Sequence, residues 1–142
     1  MPKCLSVSDE GFLVTYGNPS LSIRIVFANG GIIGPTKIAL LEAIETKDSI
    51  SAAARSLEIS YRTALQWVES INGMLRSPAV VTERGGRKGG AAALTPIGAR
   101  VLELYRTIES RAERATHSER YALGTIARAR PLPIRSKKSS FD

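Results

Sequence analysis

Apolar positions change period along this chain, and each change marks an element. Leu21, Ile23, Ile25 and Phe27 alternate with other positions, the period of a half-buried strand. Asn29-Gly30-Gly31 is a turn signal, after which Ile32-Ile33 can return as a short partner strand, giving an N-terminal β-hairpin. Gly34-Pro35 opens a helix, since proline at the first helical position gives up an N–H that has no intrahelical partner anyway. Ile38, Leu41 and Ile44, with Leu40 beside them, form its buried stripe, and the helix is expected to end near Lys47, with Asp48 or Ser49 capping the next.

The stretch from Ser49 to Leu75 reads as two short helices with a break between them. Ile50, Ala53, Ala54 and Leu57 make a small apolar face, and Leu57-Glu58-Ile59 interrupts the period. Ser60 fits an N-cap, because its hydroxyl can accept an orphan N–H of the following helix. From Ala64, apolar positions recur at Val68, Ile71 and Leu75, while Arg62, Gln66 and Glu69 hold the opposite face and Thr63 and Ser70 its margin. The alanines allow the two helices to cross closely. The pattern is that of a helix-turn-helix whose second helix, about residues 60–75, can enter a major groove. An ordinary pair of packed helices gives the same periodicity. Glu58 stands where such turns usually carry glycine; a positive φ there costs a non-glycine residue about 1 kcal/mol.

After Pro78 the texture changes. Ala79-Val80-Val81-Thr82-Glu83 is β-prone, a basic glycine-rich run from Arg84 to Gly90 follows, and Ala91 to Leu94 can form a second short strand. Behind three helices, such a hairpin is a wing, with Arg84, Arg87 and Lys88 as candidate phosphate contacts. A solvated tight turn with incidental charges is the alternative. The run is not a P-loop, because Lys88 precedes Gly89-Gly90 and no Ser or Thr follows. Thr95-Pro96 is a helix start. Ile97, Val101, Leu104, Ile108, Ala112 and Ala115 then form a stripe, which Leu102 and Tyr105 widen. A helix over 96–115 is longer than a small domain needs, so Ile97, Val101, Leu104 and Ile108 are expected to pair two chains, with packing inside one chain as the alternative.

Residues 1–20 lack clear periodicity and are expected to be a flexible leader. Residues 21–117 form the domain, and residues 118–142, basic and proline-bearing, are expected to be a disordered tail.

Charge narrows the partner. The formal net charge of the 142-residue chain is +7, which favours a polyanion. Cys4 and His117 are the lone members of their types, so a zinc site of Cys and His is excluded, and His117 lies in the polar run THSER without a catalytic partner. No metal, no cofactor and no catalytic residue is assigned. No apolar run approaches the ~20 residues of a membrane span, and the N-terminus lacks a signal-peptide layout, so a cytoplasmic setting and no membrane partner are expected.

From Gly34 to about Tyr105 the chain resembles the N-terminal domain of molybdate-responsive ModE-type transcription regulators and, more loosely, the winged helix-turn-helix of LysR-type regulators. The resemblance rests on Gly34-Pro35, Leu40-Leu41, Ser49-Ile50-Ser51 with Ala53-Ala54, and Ile59-Ser60-Tyr61. Glu83-Arg84, the loop to Gly90, Leu94-Thr95, Gly98 and Tyr105 complete it. Where the family usually carries Trp soon after Ser-Tyr, this chain has Leu65, with Trp67 two residues later. The helix-turn-helix pattern and the basic charge point to double-stranded DNA as partner, and the long helix over 96–115 to a homodimer. ModE-type regulators also carry C-terminal molybdate-binding modules; nothing after Ala115 is expected to form one, and no molybdate site is evident.

These readings combine into a mainly α (α+β) fold: a winged helix-turn-helix with an N-terminal β-hairpin and a long C-terminal dimerisation helix. Ser60, Tyr61, Arg62, Thr63 and Gln66 are expected to meet DNA, with Arg62 on guanine, Gln66 on adenine, and Tyr61 and Thr63 on phosphate. The rival is a protein-interaction module that works through the long helix and does not bind DNA.

Overall fold

The structure is a computed structural model and describes residues 5–7, 13–15, 19–83 and 90–134. The chain is mainly α, with short antiparallel strand pairs, an α+β arrangement. It divides into two compact units, Leu21–Arg114 and a second made of Met1–Ser20 with Ala115–Asp142.

In the second unit, β1 (Leu5–Val7) pairs antiparallel with β2 (Leu13–Thr15). In the larger unit, β3 (Ile25–Val26) pairs with β4 (Ile32–Ile33) across the expected turn. Gly30 sits at φ 88°, and the Asn29 side chain both accepts from Gly31 N–H and donates to the Met74 carbonyl. The alternation read from the sequence holds: Leu21, Ile23, Ile25 and Phe27 are half-buried, and the positions between them are exposed.

Three helices follow in close succession. In α1 (Pro35–Lys47) Ile38, Leu40, Leu41 and Ile44 are buried, and Asp48 ends the helix at φ 59°. Between the two candidate caps of α2 (Ile50–Ser56), Ser49 is the one used; its hydroxyl accepts from Ala52 N–H. The small side chains of Ala53 and Ala54 are buried, which lets α3 (Tyr61–Met74) cross closely. Ala64, Val68 and Ile71 are the buried positions of α3. They join the α1 and α2 stripes in one core with Ile33, Ala79, Val80, Ala92, Leu102 and Tyr105.

The break between α2 and α3 has a definite geometry. Glu58 adopts φ 56°, its N–H donates to the Arg55 carbonyl, and Ile59 N–H reaches back to the Ala54 carbonyl. This pair of bonds is a Schellman termination, which satisfies the last carbonyls of α2 and turns the chain toward α3. The positive φ anticipated at Glu58 is therefore present, with the cost that a Cβ brings there.

Beyond α3, β5 (Val80–Thr82) pairs antiparallel with β6 (Ala92–Leu94), so that Val80 faces Leu94 and Thr82 faces Ala92. Gly90, at φ 66°, approaches the Glu83 carbonyl too closely for a side chain. Ala92 N–H donates to the Asp48 carbonyl, which fastens the returning strand to the end of α1. Then α4 (Pro96–Ala115) begins: the Thr95 hydroxyl accepts from Gly98 N–H and donates to the Pro78 carbonyl. Gly98 lies so close to the Ala79 backbone that any Cβ there would collide with its carbonyl.

The core-facing side of α4 is Gly98, Leu102 and Tyr105, steps of four and three. The positions that only widened the sequence stripe are thus the buried ones. Ile97 and Val101 are half-buried, and Leu104 and Ile108 remain 44% and 43% exposed. Tyr105 anchors the helix by donating its phenol hydrogen to the Ile23 carbonyl at 2.7 Å. Arg106 grips Glu42 of α1 with two nitrogens and also meets Glu109.

Regular structure occurs where the sequence reading expected a leader and a disordered tail. Besides β1 and β2, a further helix, α5 (His117–Ile126), lies in the second unit. It has no buried residue, so no apolar stripe was needed to form it and none was legible. Arg120 donates to the Thr116 hydroxyl one turn before it and to the Pro19 carbonyl, 101 positions away in the chain. Among the described residues, no helix is long and apolar enough to cross a membrane.

Candidate nucleic-acid interface

One helix carries most of the candidate residues. Ser60 is the N-cap of α3: its oxygen accepts from Thr63 N–H at 3.0 Å, and its hydroxyl pairs with the Thr63 hydroxyl at 2.9 Å. These two hydroxyls are thus already engaged in starting the helix, and Thr63 is half-buried. Tyr61 and Arg62 are exposed in the first turn, and Gln66 is exposed one turn on. The face opposite Ala64, Val68 and Ile71 therefore presents Arg62 and Gln66 to solvent, as the periodicity required. Neither is engaged by an ion pair or side-chain hydrogen bond with any described residue.

Two side chains not singled out in the sequence fix this helix relative to its neighbours. Asn72 lies near the end of α3, and its amide reaches β5. The Oδ1 atom accepts from Ala79 N–H at 2.8 Å and Val80 N–H at 3.1 Å, and Nδ2 donates to the Val80 carbonyl at 3.1 Å. Lys37 of α1 donates to the Ser70 hydroxyl at 3.0 Å and to the Ile32 carbonyl at 2.9 Å, tying α1, α3 and the β3–β4 hairpin together. Neither could have been found from periodicity, because each acts through a tertiary contact with polar backbone. Trp67 is half-buried against the core and not part of the exposed face.

Arg84, Arg87 and Lys88 lie outside the described residues. The strands on either side of them are in place: Glu83 N–H donates to the Ala91 carbonyl, continuing the pairing of β5 and β6. The positions expected to pair two chains are divided: Ile97 and Val101 are half-buried, and Leu104 and Ile108 are the more exposed. Among the described residues, no group of three or more His, Cys, Asp or Glu side chains could hold a metal ion.

The larger unit thus runs as three successive helices, the second and third joined by a tight turn at Glu58, with an antiparallel strand pair after them. No family model matches the chain. It is similar to the molybdenum-pterin-binding protein MopB of Rhodobacter capsulatus, with 42% identity over 81 residues, 57% of this chain and 30% of that protein. The molybdenum transport protein ModE of Azotobacter vinelandii is 40% identical over 80 residues, 56% of this chain and 30% of that protein. The transcriptional regulator ModE of Haemophilus influenzae is 32% identical over 100 residues, 70% of this chain and 39% of that protein. The chain thus resembles ModE and MopB proteins over more than half of its own residues, and spans well under half the length of these relatives.

Proposed function

We propose that this chain is a sequence-specific, double-stranded-DNA-binding transcriptional regulator that acts as a homodimer in the cytoplasm and is not an enzyme. The observation that carries the reading is the exposed face of α3, where Arg62 and Gln66 stand in solvent and are not engaged elsewhere. The guanidinium fork of Arg62 suits guanine O6 and N7, and the Gln66 amide suits adenine N6 and N7. The Haemophilus influenzae and Escherichia coli relatives, both named as transcriptional regulators, support the same reading. Ser60, Tyr61 and Thr63 lie at the helix start, where backbone N–H groups and the dipole favour phosphate. Arg84, Arg87 and Lys88 supply the wing's phosphate contacts. Pairing through Ile97, Val101, Leu104 and Ile108 would place two recognition helices on successive turns of the duplex.

Selection from randomised duplexes at fixed salt tests this. The wild type should enrich a two-fold symmetric site. Arg62→Ala should relax one base position in each half-site, by about 1–3 kcal/mol of discrimination. Lys88→Ala should weaken binding to all sequences alike and lower the salt slope by about one phosphate. A wild-type protein that enriches no sequence would overturn the proposal and favour the protein-interaction reading, for which the half-exposed Leu104 and Ile108 are the relevant observation.

A further inference from the structure

We propose that Glu69 is a specificity-determining residue of the α3 face and reads a cytosine in the same half-site in which Arg62 reads a guanine. This rests on the DNA-binding reading and deepens it.

The geometry of α3 supplies the argument. Arg62, Gln66 and Glu69 are exposed and stand at steps of four and three. At 100° per residue, seven residues return to within about 20° of the starting direction, so Glu69 and Arg62 lie on nearly one line along the helix. Recognition helices present side chains to base edges with this same i, i+4, i+7 spacing. The rise between Arg62 and Glu69 is about 10.5 Å. At 3.4 Å per base step that is about three base pairs, if the helix follows the groove.

The charge of Glu69 makes its position informative. It is the lone acidic residue of α3. It forms no ion pair with any described residue, although Arg106 and Arg100 each hold a glutamate elsewhere. Its carboxylate is therefore not spent on holding the fold together. A carboxylate carried toward a duplex is repelled by phosphates on either side of the groove. Two amino groups on major-groove base edges can donate to it, N4 of cytosine and N6 of adenine; on adenine the N7 acceptor beside N6 repels the second carboxylate oxygen, so cytosine is the better match. Thymine, with O4 in that place, and guanine, with O6 and N7, present acceptors and are rejected. Glu69 would thus favour cytosine, tolerate adenine less well and reject thymine and guanine, a stronger filter than a neutral side chain could provide.

The test repeats the randomised-duplex selection with Glu69→Ala and Glu69→Gln. The wild type is expected to enrich a cytosine about three base pairs from the guanine lost in Arg62→Ala. Glu69→Ala should flatten that position, with discrimination falling at least about fivefold, while the guanine position stays. Glu69→Gln should move the preference at the same position toward adenine, whose N6 and N7 match an amide. If both variants enrich the unchanged wild-type site and merely bind all duplexes more tightly, Glu69 only repels phosphate and the assignment is wrong. If the wild type enriches a site but no cytosine position responds to Glu69, the assignment again falls while the DNA-binding reading stands. A wild type without any preference removes both.

Discussion

The side-chain amide of Asn72 brackets the backbone of Val80, accepting from its N–H and donating to its carbonyl, each at 3.1 Å. Since Asn72 belongs to α3 and Val80 opens β5, one residue sets the angle between the exposed helix face and the strand pair that follows. Asn72→Ala should cost about 1–3 kcal/mol, because part-buried backbone groups lose their partner. Asn72→Asp keeps the acceptor, loses the donor and should cost less. Urea unfolding followed by the fluorescence of Trp67, the single tryptophan, measures both. Equal stability of wild type and Asn72→Ala would remove the clamp from the account.

Glu58 gives a prediction of the opposite sign. It ends α2 in the left-handed region without glycine's freedom. Glu58→Gly should stabilise the domain, by about 0.5–1 kcal/mol after the extra entropy of glycine in the unfolded chain is set against the relieved strain. A lower midpoint in urea would mean that the glutamate side chain contributes more than its backbone costs.

Tyr105 links stability to alkaline pH. Burial raises its phenol above the usual tyrosine range; Glu109 adds to the rise and Arg106 opposes it. A raised acid holds its proton better in the folded state. Its contribution is therefore complete below the ordinary tyrosine pKa of about 10 and is lost as pH rises through that value toward the folded one. Tyr105→Phe should cost about 1 kcal/mol at neutral pH through the bond to the Ile23 carbonyl. It should also flatten the alkaline fall relative to wild type. Parallel stability curves from pH 8 to 11 for the two proteins would show that the phenol is not the group responsible.

The long helix supplies the fourth prediction. Leu104 and Ile108 are partly exposed on α4, beside but not within its core-facing side. Replacing both with glutamate should give folded monomers, since Leu102 and Tyr105 continue to hold the helix to the core. Sedimentation is the measurement, and a dimer that survives the double substitution would place the interface elsewhere.

Local rules were enough for much of this molecule. The alternation from Leu21 to Phe27, proline at the start of α1, the Ser60 cap and the Ala64, Val68, Ile71 stripe are all short-range patterns. Each depends on backbone periodicity or on a hydrogen bond within one turn, so the sequence carries them in full. The exposed positions of Arg62, Gln66 and Glu69 follow from the same stripe, because what is opposite a buried face must meet solvent.

Only tertiary structure decided the rest. Which side of α4 faces the core was set by the close approach of Gly98 to Ala79 and by the reach of Tyr105 to Ile23, across 82 positions of chain. Periodicity alone could not choose between two adjoining apolar rows. The roles of Asn72 and Lys37 were invisible for a related reason: a polar side chain that satisfies distant backbone groups leaves no period behind. Nor could the pattern find α5, since a helix without a buried face writes no stripe into the sequence.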